Sequence, residues 1–295
     1  MGTEELVDLY RFCSRVGLSL SVASIVEASI PKPGNASPFQ DLETVAFRDI
    51  ILSAMKLRES YTEACVRGYN RELPLMDLLY RVTDKRFALL GTAMLLLPLA
   101  YSSPTSRDLK ALLTTSSQVI RSLGNEDWKW FKKSLEIISP SYLGKTEKMD
   151  YRQEDLSLWQ VLNWSTMFDP VPREMVSGYP NSLDVFQILS ARPCETFVSS
   201  AQFAFLHLLS RIPDGLISRK WGHRVAINVS SMARRILHCP LEHELEFFNE
   251  FLVRRKLNPG STADLIASGI ALYELHELYT HDFRSPLQRG CDRVT

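Results

Sequence analysis

Residues 257–265 read Leu-Asn-Pro-Gly-Ser-Thr-Ala-Asp-Leu and decide the fold, because a turn passes here directly into a long apolar helix. The segment 258–260 is typical of a turn, since Pro fixes φ and Gly tolerates positive φ. Ser261 is placed to cap the helix, with Asp264 as the acidic partner of a capping box. The same turn could instead aim backbone N–H groups at an anion, with Thr262 and Asp264 contacting a phosphate and its Mg²⁺. The local sequence leaves both interpretations open.

The composition describes a chain that can bury a large core but has no charge bias. It has 295 residues, 45% of them apolar and 23% charged, with 34 basic and 34 acidic side chains. A dedicated nucleic-acid-binding protein normally carries a basic excess. We therefore expect no nucleic-acid partner.

The cysteines and the apolar runs indicate a cytoplasmic protein. The five cysteines are scattered and odd in number, which argues against a disulfide framework and for a reducing compartment. The uncharged run best suited to a membrane span, 87–101, has 15 residues and contains Gly91 and Pro98, so a buried core helix fits it better. We expect no membrane partner.

Helical periodicity dominates the chain, and no convincing strand or hairpin pattern interrupts it. The apolar spacing predicts helices over, for example, 4–27, 42–66 and 87–101, and a helix from Thr105 or Ser106 to about Gly124. The polar segment 139–153 is predicted to be a long loop. The pattern as a whole predicts about ten helices in a single all-α domain over residues 1–295.

Two further turns contain side chains suited to an anionic ligand. The segment 31–35, Pro-Lys-Pro-Gly-Asn, is rigid and could present Lys32 and Asn35 to a phosphate, or could simply connect two helices. The segment 213–222 is predicted to be a loop between helices. Its Arg219 and Lys220 suit a polyphosphate, although a solvated loop explains them equally well.

A pair of acids lies at a predicted helix start. Asp169 and Glu174 are separated by a Pro-Val-Pro-Arg sequence, and Pro172 is predicted to occupy the first helical position. Acids at a helix start favour the helix dipole. The same pair could serve as base, acid or Mg²⁺ ligands.

Taken together and in this order, five segments resemble the triphosphoribosyl-dephospho-CoA synthase family, and its archaeal branch most closely. They span most of the chain, and their agreement in order makes the resemblance specific where each segment alone is weak. The resembling segments are 31–35 (Pro-Lys-Pro-Gly-Asn), 90–100 (Leu-Gly-Thr-Ala-Met-Leu-Leu-Leu-Pro-Leu-Ala), 169–174 (Asp-Pro-Val-Pro-Arg-Glu), 214–222 and 257–265.

The resemblance implies an all-helical transferase. Members of the family transfer the triphosphoribosyl group of ATP to the 2′-hydroxyl of 3′-dephospho-CoA and release adenine. An intact triphosphate needs cations, Mg²⁺ and helix N-termini. The loss of adenine develops positive charge on the ribose, which a carboxylate can stabilise.

These requirements assign roles by resemblance. Asp169 and Glu174 become the catalytic candidates, and Asp214 and Asp264 the Mg²⁺ ligands. The nucleotide and phosphate contacts would come from Lys32, Asn35, Arg219, Lys220, Asn258, Gly260 and Thr262. We expect the three punctuated turns to converge on one cleft; a homodimer is an open alternative to a monomer.

Two departures from the family pattern keep a second function open. After the Pro-Lys-Pro-Gly turn the family has an Asp or His and then an Arg, where this chain has Ser37 and Pro38. Before Leu90 the family carries a polar Asn-Thr-Asn-like stretch, where this chain has the apolar residues 87–89. The alternative is therefore a degenerate relative that binds a nucleotide or coenzyme as a regulatory or partner protein.

Overall fold

Helices make up almost all the regular structure of the chain. The computed structural model describes residues 3–139, 153 and 155–282. Within them there is no strand, only two isolated bridges in the loop 37–45, so the all-α prediction is confirmed. The fourteen helices described are α1 Thr3–Ser29, α2 Phe47–Asn70, α3 Met76–Val82, α4 Leu90–Ser102, α5 Leu109–Ser122, α6 Asn125–Ile138, α7 Leu158–Ser165, α8 Pro170–Ser177, α9 Pro180–Ala191, α10 Phe197–Arg211, α11 Gly215–Trp221, α12 His223–Arg235, α13 Glu242–Arg254 and α14 Gly260–Glu277.

Two helices form the centre of one shared hydrophobic core. Every residue of α4 from Thr92 to Ser102 is buried, and α14 is buried along most of its length. A helix that is apolar all round must be surrounded by other helices. Helix α14 packs against α1, α4, α9 and α10, and its first turn approaches α8 and α11. The long apolar helix predicted after residue 260 is therefore the core element of the fold.

Helix α1 is the one described helix that is long and apolar enough, by length and composition, to cross a membrane. Its candidate span is Glu4–Ser29, and 50% of the most apolar window lies inside the protein. The inner face of α1 packs against α2 and α14 and contributes Leu9, Val16 and Leu20 to the core. These contacts account for its apolar character as that of a core helix.

The prediction that the chain has no disulfide framework is wrong. Cys13 is bonded to Cys65, which joins α1 to α2, and Cys194 is bonded to Cys239, which joins the start of α10 to the connection after α12. Cysteines scattered along the sequence can still form disulfides, because each bond links parts of the chain that only the tertiary fold brings together. The bonded pairs are 52 and 45 residues apart in sequence.

Several predicted helix boundaries are corrected by the capping contacts. Helix α4 begins at Leu90 rather than at residue 87, and α5 is capped by Asp108, whose side chain accepts a hydrogen bond from the Ala111 N–H. Pro170, not Pro172, occupies the first position of α8. The segment 213–222, predicted as a loop, contains the short helix α11. The long loop predicted over 139–153 lies almost entirely outside the described residues.

Candidate active site

One cavity of about 890 Å³ lies where the starts of α4, α8 and α14 meet. Its remaining walls come from α6, α7, α11 and the loop after α1. A cavity of this size can hold a nucleotide-sized ligand. Of the residues assigned from the sequence, it is lined by Asn35, Asp169, Arg219, Asn258, Gly260 and Asp264. The predicted convergence of the three turns on one cleft is thus observed.

The first and last turns are held together by an amide pair. The Nδ2 of Asn35 donates to the Oδ1 of Asn258 at 2.9 Å, and a Cβ on Gly34 would lie 2.7 Å from the Leu257 carbonyl oxygen. Gly34 also has φ of +76°, which favours glycine. The Oδ1 of Asn35 is buried and has no hydrogen-bond partner. A buried polar atom without a partner beside a cavity is a contact point for a ligand.

Asp264 does not cap its own helix, so the capping-box interpretation is wrong. Helix α14 begins at Gly260, its N-cap is Pro259, and no side chain caps it from that position. The Oδ1 of Asp264 instead accepts a hydrogen bond of 2.6 Å from the Thr92 hydroxyl. Burial, opposed by that hydrogen bond and reinforced by neighbouring acids, raises the pKa of Asp264 to about 7.

Gly91 makes room for the Asp264 carboxylate. A Cβ at residue 91 would lie 2.1 Å from Asp264 Oδ2, closer than any two such atoms can approach. Glycine at the start of α4 therefore lets a carboxylate from α14 lie directly against the helix backbone. Neither Gly91 nor Thr92 was assigned from the sequence, although both lie in the segment 90–100 that carries the resemblance.

Asp169 and Arg219 form an ion pair at the cavity wall. Asp169 is the N-cap of α8, where its Oδ1 accepts a hydrogen bond of 3.0 Å from the Val171 N–H. Its Oδ2 contacts a guanidinium nitrogen of Arg219 from α11. Both side chains are partly exposed, at 19% and 26%. The pair thus brings a carboxylate and a guanidinium to the same wall from helices 50 residues apart.

Asp214 and Thr262 lie behind the cavity rather than in its wall. The Oδ1 of Asp214 accepts from the Ile217 N–H at 3.0 Å, which caps α11. Its Oδ2 accepts from the Thr262 N–H at 2.8 Å and the Thr262 hydroxyl at 2.9 Å, which caps α14 from outside. Burial raises the pKa of Asp214 against these hydrogen bonds. Asp214, assigned as a metal ligand, and Thr262, assigned as a phosphate contact, therefore hold the starts of α11 and α14 together.

Lys32 is turned away from the cavity. Its side chain is 1% exposed, and its Nζ lies 3.0 Å from Glu27 Oε1 and donates to the backbone carbonyls of Glu27 and Ile30. Glu27, from the last turn of α1, does line the cavity. The lysine predicted to bind phosphate thus holds an acid that faces the cavity, and no local pattern in the sequence pointed to that acid.

Glu174 and Lys220 are also outside the cavity wall. Glu174 is fully buried and accepts from the Ser182 N–H and the Asn181 Nδ2, each at 2.6 Å, at the start of α9. Burial raises the pKa of Glu174 against those hydrogen bonds. Lys220 is exposed on α11. Of the two acids predicted as a catalytic pair, Asp169 lines the cavity and Glu174 does not.

Comparison with known proteins identifies the family. The family profile described as CitG, ATP:dephospho-CoA triphosphoribosyl transferase, matches residues 13–283. The chain belongs to this family. It is accordingly a transferase of the triphosphoribosyl-dephospho-CoA synthase type, and the alternative of a non-catalytic relative is not favoured.

A solved structure agrees with the fold. The chain is similar, with a TM-score of 0.60 and 21% identity, to a crystal structure of a candidate triphosphoribosyl-dephospho-CoA synthase from Archaeoglobus fulgidus. The likeness covers 74% of this chain and 96% of that one. A search among curated proteins gave no match.

The two departures from the family pattern differ in whether their residues face the cavity. Ser37 is buried in the loop after α1 and pairs with Gln40 through backbone hydrogen bonds of 2.8 and 3.1 Å. The amide of Gln40 exchanges hydrogen bonds with Asn249 of α13 and thereby fixes the loop. In contrast, Ala88 and Leu89 of the apolar stretch face the cavity directly.

Proposed function

We propose that this chain transfers the triphosphoribosyl group of ATP to a hydroxyl of 3′-dephospho-CoA or a related acceptor and releases adenine. The observation that supports it is the meeting of three polar pairs on one nucleotide-sized cavity in a member of this family. The pairs are Asn35 with Asn258, Thr92 with Asp264, and Asp169 with Arg219. Cytoplasmic location, the absence of nucleic-acid and membrane partners, and the oligomeric state stay predictions.

The starts of α4 and α14 would bind the triphosphate. Their N-cap residues, Leu89 and Pro259, have no side-chain oxygen to accept from the first N–H groups. Gly91 and Gly260 of these first turns line the cavity. Helix N-termini favour anions through the helix dipole and their unpaired N–H groups; in α14 the Thr262 N–H is already bonded to Asp214, so the N–H groups before it would make the contact. Arg219 adds a guanidinium at the same wall.

Two oxygen donors of the cavity wall fit a Mg²⁺ ion bound together with phosphate. Asp264 supplies a carboxylate, and the unpartnered Oδ1 of Asn35 supplies a neutral oxygen. Among the described residues there is no group of three or more His, Cys, Asp or Glu side chains that could hold a metal. Mg²⁺ typically keeps several waters and takes one or two carboxylates plus substrate phosphates. When bound, it would neutralise phosphate charge.

Asp169 is the carboxylate best placed to act on the reacting sugar. The bond between ribose C1′ and adenine breaks, a bond from C1′ to the acceptor oxygen forms, and the hydroxyl proton leaves with adenine. Positive charge develops on the sugar during this exchange. A carboxylate in the cavity wall can stabilise that charge or take the hydroxyl proton. Arg219 keeps Asp169 oriented through their ion pair.

The test is adenine release from ATP, with Mg²⁺ and 3′-dephospho-CoA, measured by chromatography. We expect Asp169→Asn to lower the rate by a factor of about 10²–10³, the usual effect of removing one preorganised electrostatic contact. Asparagine still caps a helix, so α8 should persist.

The matched control is Asp184→Asn. Asp184 forms a comparable ion pair with Arg211, at 3.0 Å, but on an exposed surface outside the cavity wall. Exposed pairs of this kind contribute about 0–1 kcal/mol to stability. Equal losses of activity in the two variants would contradict the assignment of Asp169.

A further inference from the structure

Glu27 brings a second buried carboxylate to the cavity that contains Asp264. It lies in the last turn of α1, its side chain is 8% exposed, and it lines the cavity wall. The proposed function gives Glu27 no role so far. A buried carboxylate is costly unless it is paired, hydrogen-bonded or bound to a cation. Its position beside the ligand space therefore calls for a physical reason.

A buried lysine holds one of the two carboxylate oxygens of Glu27. The Nζ of Lys32 lies 3.0 Å from Glu27 Oε1 and also donates to the backbone carbonyls of Glu27 and Ile30. A lysine ammonium has three N–H donors, so these three oxygens occupy all of them. A carboxylate can accept at both of its oxygens. The contact with Lys32 therefore orients Glu27 and leaves it capacity to bind a ligand.

Glu27 and Asp264 are close enough for their charges to interact. Burial raises the pKa of Asp264, the hydrogen bond from Thr92 lowers it, and the charge of Glu27 raises it further. Both carboxyl groups line the same cavity, although they come from helices at opposite ends of the chain. Two neighbouring carboxylates repel each other when both are charged. A divalent cation bound to both would replace that repulsion by attraction.

Asn35 is an independent sign of a ligand at the same wall. It is 7% exposed and also lines the cavity. Its Nδ2 donates to Asn258 Oδ1 at 2.9 Å, whereas its own Oδ1 is buried and has no hydrogen-bond partner among the described residues. The atom available to a ligand is thus the amide oxygen and not the NH₂ group. An oxygen acceptor beside carboxylates favours a cation over an anion.

We propose that Glu27 is a further ligand of the divalent cation that Asp264 and Asn35 bind. The inference rests on the proposed function and adds to its site a residue that no local sequence pattern indicated. Mg²⁺ prefers oxygen donors in octahedral geometry and completes its coordination with water and substrate phosphates. Two carboxylates and one amide oxygen leave positions for both. Lys32 takes part as the residue that positions Glu27.

The experiment measures binding of Mn²⁺ to the protein alone by electron paramagnetic resonance. Mn²⁺ takes the same carboxylate, carbonyl and water ligands as Mg²⁺ and is detected without turnover. We expect Glu27→Gln to raise the dissociation constant of Mn²⁺ about tenfold or more, because loss of an outer partner of a metal site already costs about 10–100-fold. Asp264→Asn should weaken binding to a similar degree.

The matched control is Glu250→Gln. Glu250 is paired with Arg254 at 2.9 Å in α13, is 61% exposed and does not line the cavity. This variant removes one carboxylate charge from an ion pair, as Glu27→Gln does, but away from the proposed cation. Its affinity for Mn²⁺ should equal that of the parent.

A double variant separates loss of the ligand from loss of folding. Glu27→Gln alone leaves the Lys32 ammonium buried without a counter-charge, which destabilises a protein. Combining it with Lys32→Met removes both charges and keeps a side chain of similar length. We expect the double variant to fold and to bind Mn²⁺ as weakly as Glu27→Gln. The Mg²⁺ concentration for half-maximal adenine release should rise about tenfold in both.

Each contrary outcome has its own meaning. Parent-like Mn²⁺ affinity in both Glu27 variants, with weak binding in Asp264→Asn, would overturn the role of Glu27 and leave the proposed function standing. A parent that binds no Mn²⁺, or an equal loss in Glu250→Gln, would also overturn it. Mn²⁺ binding that depends on Glu27 in a protein that releases no adenine would support the metal ligand and refute the proposed function.

Discussion

Replacing Asp264 by asparagine should make the protein without Mg²⁺ and ATP more stable and at the same time inactive. The folded protein raises the pKa of this carboxyl to about 7, chiefly by burial, from an ordinary value of 3.8. A raised carboxyl pKa means that the folded state binds the proton more tightly than the unfolded state. Stability is therefore lost as the pH rises from 3.8 through about 7, and the loss is complete near pH 8.

The pKa values set the size of the effect. A difference of about 3 pKa units corresponds to roughly 4 kcal/mol at 1.36 kcal/mol per unit. Asp264 is not fully buried, because its side chain faces the cavity, so we expect solvent to reduce this to about 2 kcal/mol. Asparagine avoids that cost. The Tm of Asp264→Asn should then exceed that of the parent by roughly 3–6 °C at pH 8 in EDTA.

The assay is thermal unfolding at pH 8 and pH 5, with and without Mg²⁺-ATP. At pH 5 the charged carboxylate costs less than half as much, so the Tm difference should shrink accordingly. Mg²⁺-ATP should raise the Tm of the parent more than that of the variant. Adenine release should fall by a factor of about 10² or more.

A result of the opposite kind would refute this reasoning. If Asp264→Asn lowered the Tm equally at both pH values and still released adenine at the parent rate, Asp264 would be a structural residue. Asp184→Asn provides the reference, since it removes the same charge from an ion pair on the surface.

Three further predictions follow from individual contacts. Gly91→Ala places a methyl group against Asp264 and should lower kcat/KM at least tenfold in the adenine assay; a parent-like rate would show that the carboxylate can move aside without loss. Asp214→Asn replaces one acceptor oxygen by an NH₂ group that faces the N–H donors of Ile217 and Thr262, so the free energy of unfolding, measured by thermal unfolding, should fall by about 1–3 kcal/mol. An unchanged free energy of unfolding would show that other contacts hold the two helix starts. The four described cysteines form two disulfides, so denatured, unreduced protein should react with at most one equivalent of a thiol reagent, and reduction should lower the free energy of unfolding by about 2–4 kcal/mol per bond; five reactive thiols in the unreduced protein would contradict both bonds.

Local sequence determined the helical fold and the places where ligand-binding turns interrupt it. Helical periodicity and the punctuation by Pro and Gly are properties of neighbouring residues, so they can be read without the fold. The segment 257–265 predicted both the turn and the central helix. Five segments in order also sufficed to indicate the family.

Only the tertiary structure decided what each charged side chain does. Asp214, Asp264 and Asp169 all stand at or near helix starts, and their local sequences do not distinguish a cap from a ligand contact. Asp214 became a buried link because Thr262 packs against it, whereas Asp264 faces the cavity because Gly91 leaves room there. These contacts join residues 48 and more positions apart, and local patterns contain no information about such distances.

The disulfides and the apolar residues of the cavity wall were decided in the same way. A disulfide requires two cysteines within a few ångströms, which depends on how α1 packs on α2 and how the connection after α12 returns to α10. The apolar stretch 87–89 departs from a polar stretch of the family pattern, and the sequence does not show which side chains it packs with. In the fold Leu89 faces the same space as Trp128, because packing of helices distant in sequence makes both of them walls of one cavity.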